Sequence, residues 1–185
     1  MQRNGFTLIE LIVVIALLGV LSAVALPRLL DLQQSARVAS INSIAGSMES
    51  AIAQVRSKAF IEGLTPSARN PSGSAQADYL IDFGFGSVEV DWGTLCPESR
   101  GEVGDALSML DFLNLTPAGE LTTAFGNRHT VIGYQHAFTN GQLASQNLTT
   151  LPSGCYVIYD SFGRSGSTCP AQGCQCTVRV VTDGC

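Results

Sequence analysis

The chain divides by the spacing of its apolar residues into three stretches. From Phe6 to Pro27 the side chains are apolar almost without a break, and fourteen of these 22 are Leu, Ile, Val or Phe. A helical rise of about 1.5 Å per residue gives this segment roughly 33 Å, enough to cross a hydrocarbon core. Its side chains favour insertion by roughly 4–8 kcal/mol. Between Arg3 and Arg28 the one ionisable side chain is Glu10, near the edge, where a charge costs less than at the bilayer centre. Past Pro27 the helical period persists but becomes two-faced. Ile41, Ile44, Met48, Ile52, Val55 and Ala59 recur at steps of three and four, with Arg37, Ser40, Glu49, Ser50 and Arg56 between them. This predicts an amphipathic helix to about Glu62, stopped by Gly63. Pro27 removes one backbone donor and crowds the preceding turn, which predicts a kink or local melting. Gly19 and Gly46 are weaker points of flexibility.

The remainder reads as a β-rich head. Leu64–Ala77 is a Thr/Pro/Ser/Gly/Asn loop, and alternation at Val88 and Val90 predicts a short strand after the Gly84-Phe85-Gly86 turn. Val103–Leu113 has helical spacing and runs into Asn114 and Pro117. Thr130–Ala137, Cys155–Asp160 and Thr177–Thr182 are strand candidates, the last two joined by the loop Ser161–Gln175. The resulting fold class is α+β, an antiparallel meander packed on the amphipathic half of the long helix, whose apolar half protrudes. No internal repeat is apparent.

Charge and cysteines narrow the function. Net charge is −5, and nine of the ten basic residues are Arg. There is no basic-aromatic run, so nucleic acid is not an expected partner. The acids from Asp78 to Glu120 read as a solvated surface. Six cysteines at 96, 155, 169, 174, 176 and 185 lie behind an export-like N-terminus, which favours disulfides. Cys169, Cys174 and Cys176 lack the paired C-x2-C spacing of zinc sites, so neither metal nor cofactor is expected. His129 and His136, seven apart across a strand and turn, read as surface or loop residues. Glu89 and Asp91 alternate onto one strand face, as on a solvated edge. Gly84-Phe85-Gly86 lacks the context of a nucleotide fingerprint, and Asn147-Leu148-Thr149 is a bare sequon. No catalytic constellation emerges, so an enzyme is not expected. One competing reading of the N-terminus is a secretory signal cleaved after Ala25, which would release a disulfide-rich binding domain beginning at Leu26.

The residues Gly5-Phe6-Thr7-Leu8-Ile9-Glu10, behind a short basic leader and ahead of some 20 apolar residues and a proline, resemble the signature of type IV prepilins and pseudopilins. The stretch Pro27-Arg28-Leu29-Leu30-Asp31-Leu32-Gln33-Gln34-Ser35-Ala36-Arg37 is similar to mannose-sensitive haemagglutinin (MSHA) pilins, with Leu29 and Asp31 in place of their Phe and Asn. This resemblance implies a type IV pilin fold with a leader 1–5, an apolar helix 6–27, an amphipathic helix 28–62 and a head 63–185. It implies cleavage between Gly5 and Phe6 by a prepilin peptidase, N-methylation of Phe6, and a role for Glu10 in subunit assembly opposite a neighbour's N-terminal amine. It implies an inner-membrane precursor, an assembly platform, and a homo-oligomeric extracellular filament (fimbrium) serving adhesion to a surface or host receptor. A pseudopilin of a type II secretion system is the alternative within the family. Six cysteines allow 15 connectivities. Antiparallel pairing of the last two strands would bring Cys155 near Cys185, and family members staple the C-terminal loop in this manner. The expected pairing is Cys155–Cys185, with Cys169 joined to Cys174 or Cys176 within the loop.

Overall fold

The computed structural model describes residues 7–71, 77–101, 107–113, 115, 120–145 and 147–185. The chain forms two compact units, Met1–Arg37 and Val38–Cys185. Helix α1 (Leu8–Ile61) supplies the described helical residues of the first unit and opens the second. Its backbone stays helical through Gly19, Pro27 and Gly46, so the melting expected at Pro27 is not a feature of this conformation. One missing donor is tolerated where the turns on either side remain bonded. In the first unit, all fifteen of the large apolar side chains described from Leu8 to Leu32 are exposed. α1 ends as its sequence predicts. Gly63 takes a left-handed φ of 85°, its N–H donates to the Phe60 carbonyl at 3.1 Å, and the Leu64 N–H donates to Ala59 at 2.9 Å. This is a Schellman stop.

In the second unit, the helical stripe meets a sheet. β1 (Leu80–Asp82) and β2 (Ser87–Glu89) form a small hairpin, and α2 (Met109–Phe112) follows. Of the helix expected at Val103–Leu113, residues 103–106 lie outside the described residues; the described part is helical only over Met109–Phe112, because Leu107 is taken up in a parallel bridge to Val88. β3 (Thr122–Phe125), β4 (His129–Gln135), β5 (Cys155–Asp160) and β6 (Thr177–Val181) make a four-stranded antiparallel meander, with the short helix α3 (Asn140–Ser145) between β4 and β5. Ile41, Ile44, Met48 and Ala51 of α1 pack on Ile132, Val157 and Tyr159, while Val55 and Ala59 pack on Ile81, Val88 and Leu95 of the hairpin region. The opposite sheet face is also covered. Val131, Tyr156 and Ile158 pack with Leu143 of α3 and with Phe138, Leu148 and Leu151. β5 is therefore buried at every position.

Three disulfides staple this unit: Cys96–Cys176, Cys155–Cys185 and Cys169–Cys174. Of the two partners open to Cys169, the structure takes Cys174, and Cys176 reaches across 80 residues to Cys96. Loop-closure entropy gives such a long link roughly 4–5 kcal/mol, against about 2 for the five-residue loop. Gly93 backs onto the small loop, since a Cβ there would come 2.7 Å from the Cys169 sulfur and 2.9 Å from that of Cys174.

Charges inside the head correct two expectations. Asp91 is not on a solvated edge. It is buried, and its Oδ1 accepts from Arg164 at 2.7 Å and from the Gly93 and Thr94 N–H groups at 3.0 Å. The Arg164 guanidinium stacks 3.6 Å above the Trp92 ring. Arg128 makes a fork to Asp160, Nε to Oδ1 at 2.9 Å and Nη2 to Oδ2 at 2.7 Å. His129 is likewise no surface residue. It is fully buried, with Nε2 3.7 Å from Asp160 Oδ2. The strand begins one residue earlier than expected, and the residue before it is half of a buried ion pair. Strand alternation says nothing of such a partner, which lies 32 residues away. His136 is half-buried, its ring edge-on to Tyr156.

Burial holds the His129 imidazole below its ordinary value of 6.5, against the pull of Asp160 and the Leu143 carbonyl, and burial lowers His136 as well. The unfolded chain therefore takes up protons first as pH falls through about 6.5, which favours unfolding. We expect the melting temperature to fall between pH 7.5 and 5, and His129→Gln to flatten that slope; circular dichroism melts across the window measure it. For Asp160, burial would raise the carboxyl, but the bonds and charge of Arg128 outweigh it and hold the group below 3.8. Its stabilisation is present above that value and lost as pH falls through the lower folded one. Removing the charge leaves Arg128 buried and unpaired. Asp160→Asn is expected to cost about 3–5 kcal/mol in denaturant unfolding.

Candidate functional site

The candidate assembly site is the start of α1. Thr7 precedes the helix and Glu10 falls in its first turn. The Thr7 N–H donates to Glu10 Oε2 at 3.0 Å, the Thr7 hydroxyl donates to the same oxygen at 2.8 Å, and the Glu10 N–H reaches Thr7 Oγ1 at 3.4 Å. This is the reciprocal arrangement of a capping box. It satisfies donors that a helix start leaves orphaned and sets a carboxylate at the positive end of the helix dipole. Glu10 thus has a local structural role that the sequence reading did not give it. The signal was legible as T-x-x-E ahead of an apolar run. The same spacing recurs at the other two described helices, where Asp111 accepts from the Ser108 N–H and hydroxyl at 2.7 Å and Gln142 accepts from both groups of Thr139 at 3.0 Å.

Behind the cap, α1 contains a window of mean hydropathy 2.8 with none of its surface buried, long and apolar enough to cross a membrane. Gly5 and Phe6, the expected cleavage and methylation positions, lie outside the described residues. Pro27 lies within α1 and is described as helical backbone.

The head offers no rival reactive centre among the described residues. No group of three or more His, Cys, Asp or Glu there could hold a metal. The six cysteines are all in disulfides. Gly84-Phe85-Gly86 is the tip of the β1–β2 hairpin, closed by the Phe83 N–H donating to Gly86 at 2.9 Å. The sequon's Asn147 is engaged on both sides of its amide. Nδ2 donates to Ser165 Oγ at 2.6 Å, and Oδ1 accepts from Arg128 at 3.3 Å.

Comparison with known proteins bears on the N-terminal site most directly. The prokaryotic N-terminal methylation motif matches residues 1–26. The chain is 45% identical over 60 residues to the type IV narrow pilus major component PilA5 of Thermus thermophilus, covering 31% of this chain and 52% of that one. It is 36% identical over 93 residues to a fimbrial protein of Neisseria meningitidis, covering 50% and 53%. It is 32% identical over 93 residues to the type IV major pilin protein PilE of Neisseria gonorrhoeae, covering 50% and 54%. No solved structure matches significantly. The chain spans about half the length of the curated relatives it matches. Its long N-terminal helix, antiparallel sheet and disulfides are consistent with the type IV pilin fold, and the relatives it resembles are structural proteins of pili and fimbriae.

Proposed function

We propose that this chain is a structural subunit of a type IV pilus that polymerises through its N-terminal helix into an extracellular filament for surface attachment. The observation that carries the reading is the methylation motif over residues 1–26, continuous with a helix whose described large apolar side chains from Leu8 to Leu32 are exposed. An apolar surface of this extent is stable in lipid or against other apolar helices, and not in water. The two environments follow one another. The precursor sits in the inner membrane; cleavage between Gly5 and Phe6 by a prepilin peptidase and methylation of Phe6 precede transfer to an assembly platform and into a helical homo-oligomer. In this scheme residues 1–5 are the leader, 6–27 the membrane and filament-core helix, 28–62 the amphipathic helix and 63–185 the head. Pro27 is the point at which α1 yields on assembly. The stretch Pro27–Arg37 supports the finer affinity with MSHA pilins. A surface or host receptor is the partner of the assembled heads.

Glu10 then has two duties. Within one chain it caps α1 through Thr7. In a filament core its charge needs a cationic partner, and the N-terminal amine of a neighbouring subunit supplies one, fixing axial register among otherwise interchangeable apolar contacts.

The mature protein is expected to begin at Phe6 and to be one methyl group heavier than the unmodified chain. Intact-mass spectrometry checks this, and a mature N-terminus at Leu26 would exclude the pilus reading. The two duties of Glu10 separate in a pair of variants. Glutamine serves a capping box as glutamate does but carries no charge. Glu10→Gln is therefore expected to insert in the membrane normally, retain its helix start, and assemble no filaments visible by electron microscopy. Wild-type filament numbers from Glu10→Gln together with loss in Glu10→Val would assign the residue to capping alone.

A further inference from the structure

Three of the nine arginines line a single cavity on the head. It measures 720 Å³ and lies between β6, the loop at residues 147–149 and the loop at residues 163–177. Thr149, Ser165, Thr168, Gln175 and Thr177 on its walls are exposed, so it is an open depression that a ligand enters directly from solvent. In the antiparallel register, Arg179 of β6 pairs with Ile158 and Thr177 with Asp160. The cavity therefore belongs to the sheet face that carries Tyr156 and Ile158, opposite the face that packs on α1.

Its walls carry three guanidiniums and one carboxylate, on a chain whose net charge is −5. Arg128 is neutralised by Asp160 and Arg164 by Asp91. Arg179 is not neutralised in this way. Its Nη2 donates to the Leu148 carbonyl at 2.6 Å, and among the described residues no carboxylate lies within ion-pair distance of it. A half-buried guanidinium held by a neutral acceptor retains its charge and part of its fork for another ligand.

The rest of the wall decides the ligand's remaining chemistry. Thr149, Thr168, Thr177 and Gln175 line it, together with the Asn147 amide, and among the described residues no aromatic ring does. That lining suits a ligand rich in hydroxyls and offers no platform for a flat apolar one. Three of the polar groups are also held in advance. Asn147 is fixed between Arg128 and Ser165, Arg128 by Asp160, and Arg179 by Leu148, so little side-chain freedom is lost on binding.

The geometry points to a binding site for a carboxylate-bearing saccharide of the uronic acid class. Arg179 takes the carboxylate in a charge-assisted pair, and the threonine and amide side chains take the ring hydroxyls. Neutral sugars lack the first interaction and inorganic anions lack the second. This inference does not depend on filament assembly, and each reading can fail alone.

The test is isothermal titration calorimetry of the full chain in detergent micelles with D-glucuronate, D-glucose and inorganic phosphate as separate probes. The expected result is saturable glucuronate binding, with glucose and phosphate each at least about tenfold weaker, as loss of a charge-assisted pair or of several hydrogen bonds requires. Arg179→Gln is expected to weaken glucuronate about tenfold or more. Thr149→Trp, an exposed loop substitution that fills the cavity mouth, is expected to do the same if Arg179→Gln fails to fold. No saturable glucuronate binding, equal binding of glucose, phosphate as tight as glucuronate, or unchanged affinity in a folded variant would each overturn the assignment.

Discussion

The head depends on one packing contact, the apolar stripe of α1 laid on the β4–β5 pair. Ile41, Met48 and Ala51 cover Ile132, Val157 and Tyr159, and the same stripe continues through Val55 and Ala59 onto the hairpin region. A helix alone leaves this stripe in water, and a four-stranded meander alone leaves one face bare. Each element removes the other's apolar surface, at roughly 25 cal/mol per Å². The contact explains why α1 keeps a strict amphipathic period only after Arg37. From Phe6 to Pro27, by contrast, the sequence carries almost no polar residues, and residues 28–37 are a mixed transition between the two.

With the core set by that contact, the periphery is held by links of long sequence reach. Cys96–Cys176 and the pairs Arg128–Asp160 and Asp91–Arg164 each tie segments 32 to 80 residues apart. Cys96–Cys176 and Asp91–Arg164 join the segment between β2 and α2 to the loop that precedes β6, and Arg128–Asp160 ties the β3–β4 turn to the end of β5. Buried ion pairs add little net stability over apolar replacements, but they are selective about partner and geometry. The disulfides supply the stability and the guanidinium pairs specify which loop conformation is adopted. One consequence of that arrangement is a polar depression lined by three guanidiniums on an otherwise acidic protein.

At the other end of the chain, Glu10 answers one constraint within the subunit and, under the proposed function, a second in assembly. A helix start needs its orphaned N–H groups satisfied, and the Thr7–Glu10 box does this within a single subunit. In the filament proposed above, a packed bundle of apolar helices would need something to select register, and Glu10 is the proposed selector because the side chains around it in sequence are nearly all Leu, Ile and Val. The first constraint is local and the second belongs to assembly.

What the sequence alone determined is whatever has a short period or a short reach. The apolar segment, the amphipathic stripe from Ile41 to Ala59, the stop at Gly63 and the strand at Cys155–Asp160 follow from neighbours within a few residues. The caps at Thr7, Ser108 and Thr139 were equally local and went unread. Strand β3 and helix α3 were also missed, because four to six residues carry too little periodicity to stand above the loops around them. The surroundings of His129 and Asp91 were misjudged for a different reason. Alternation places a side chain on one face or the other of a strand, and it assumes that one face is wet. Here α1 covers one face of the four-stranded sheet and α3 with its flanking loops covers the other, so β5 is buried throughout, while Asp91 lies past the end of β2 in a turn closed over by Arg164. Which arginine meets which aspartate, which cysteine takes Cys96, and which three guanidiniums share a wall were decided only when the meander closed. Those choices depend on distances between residues far apart in the chain, and no local pattern encodes them.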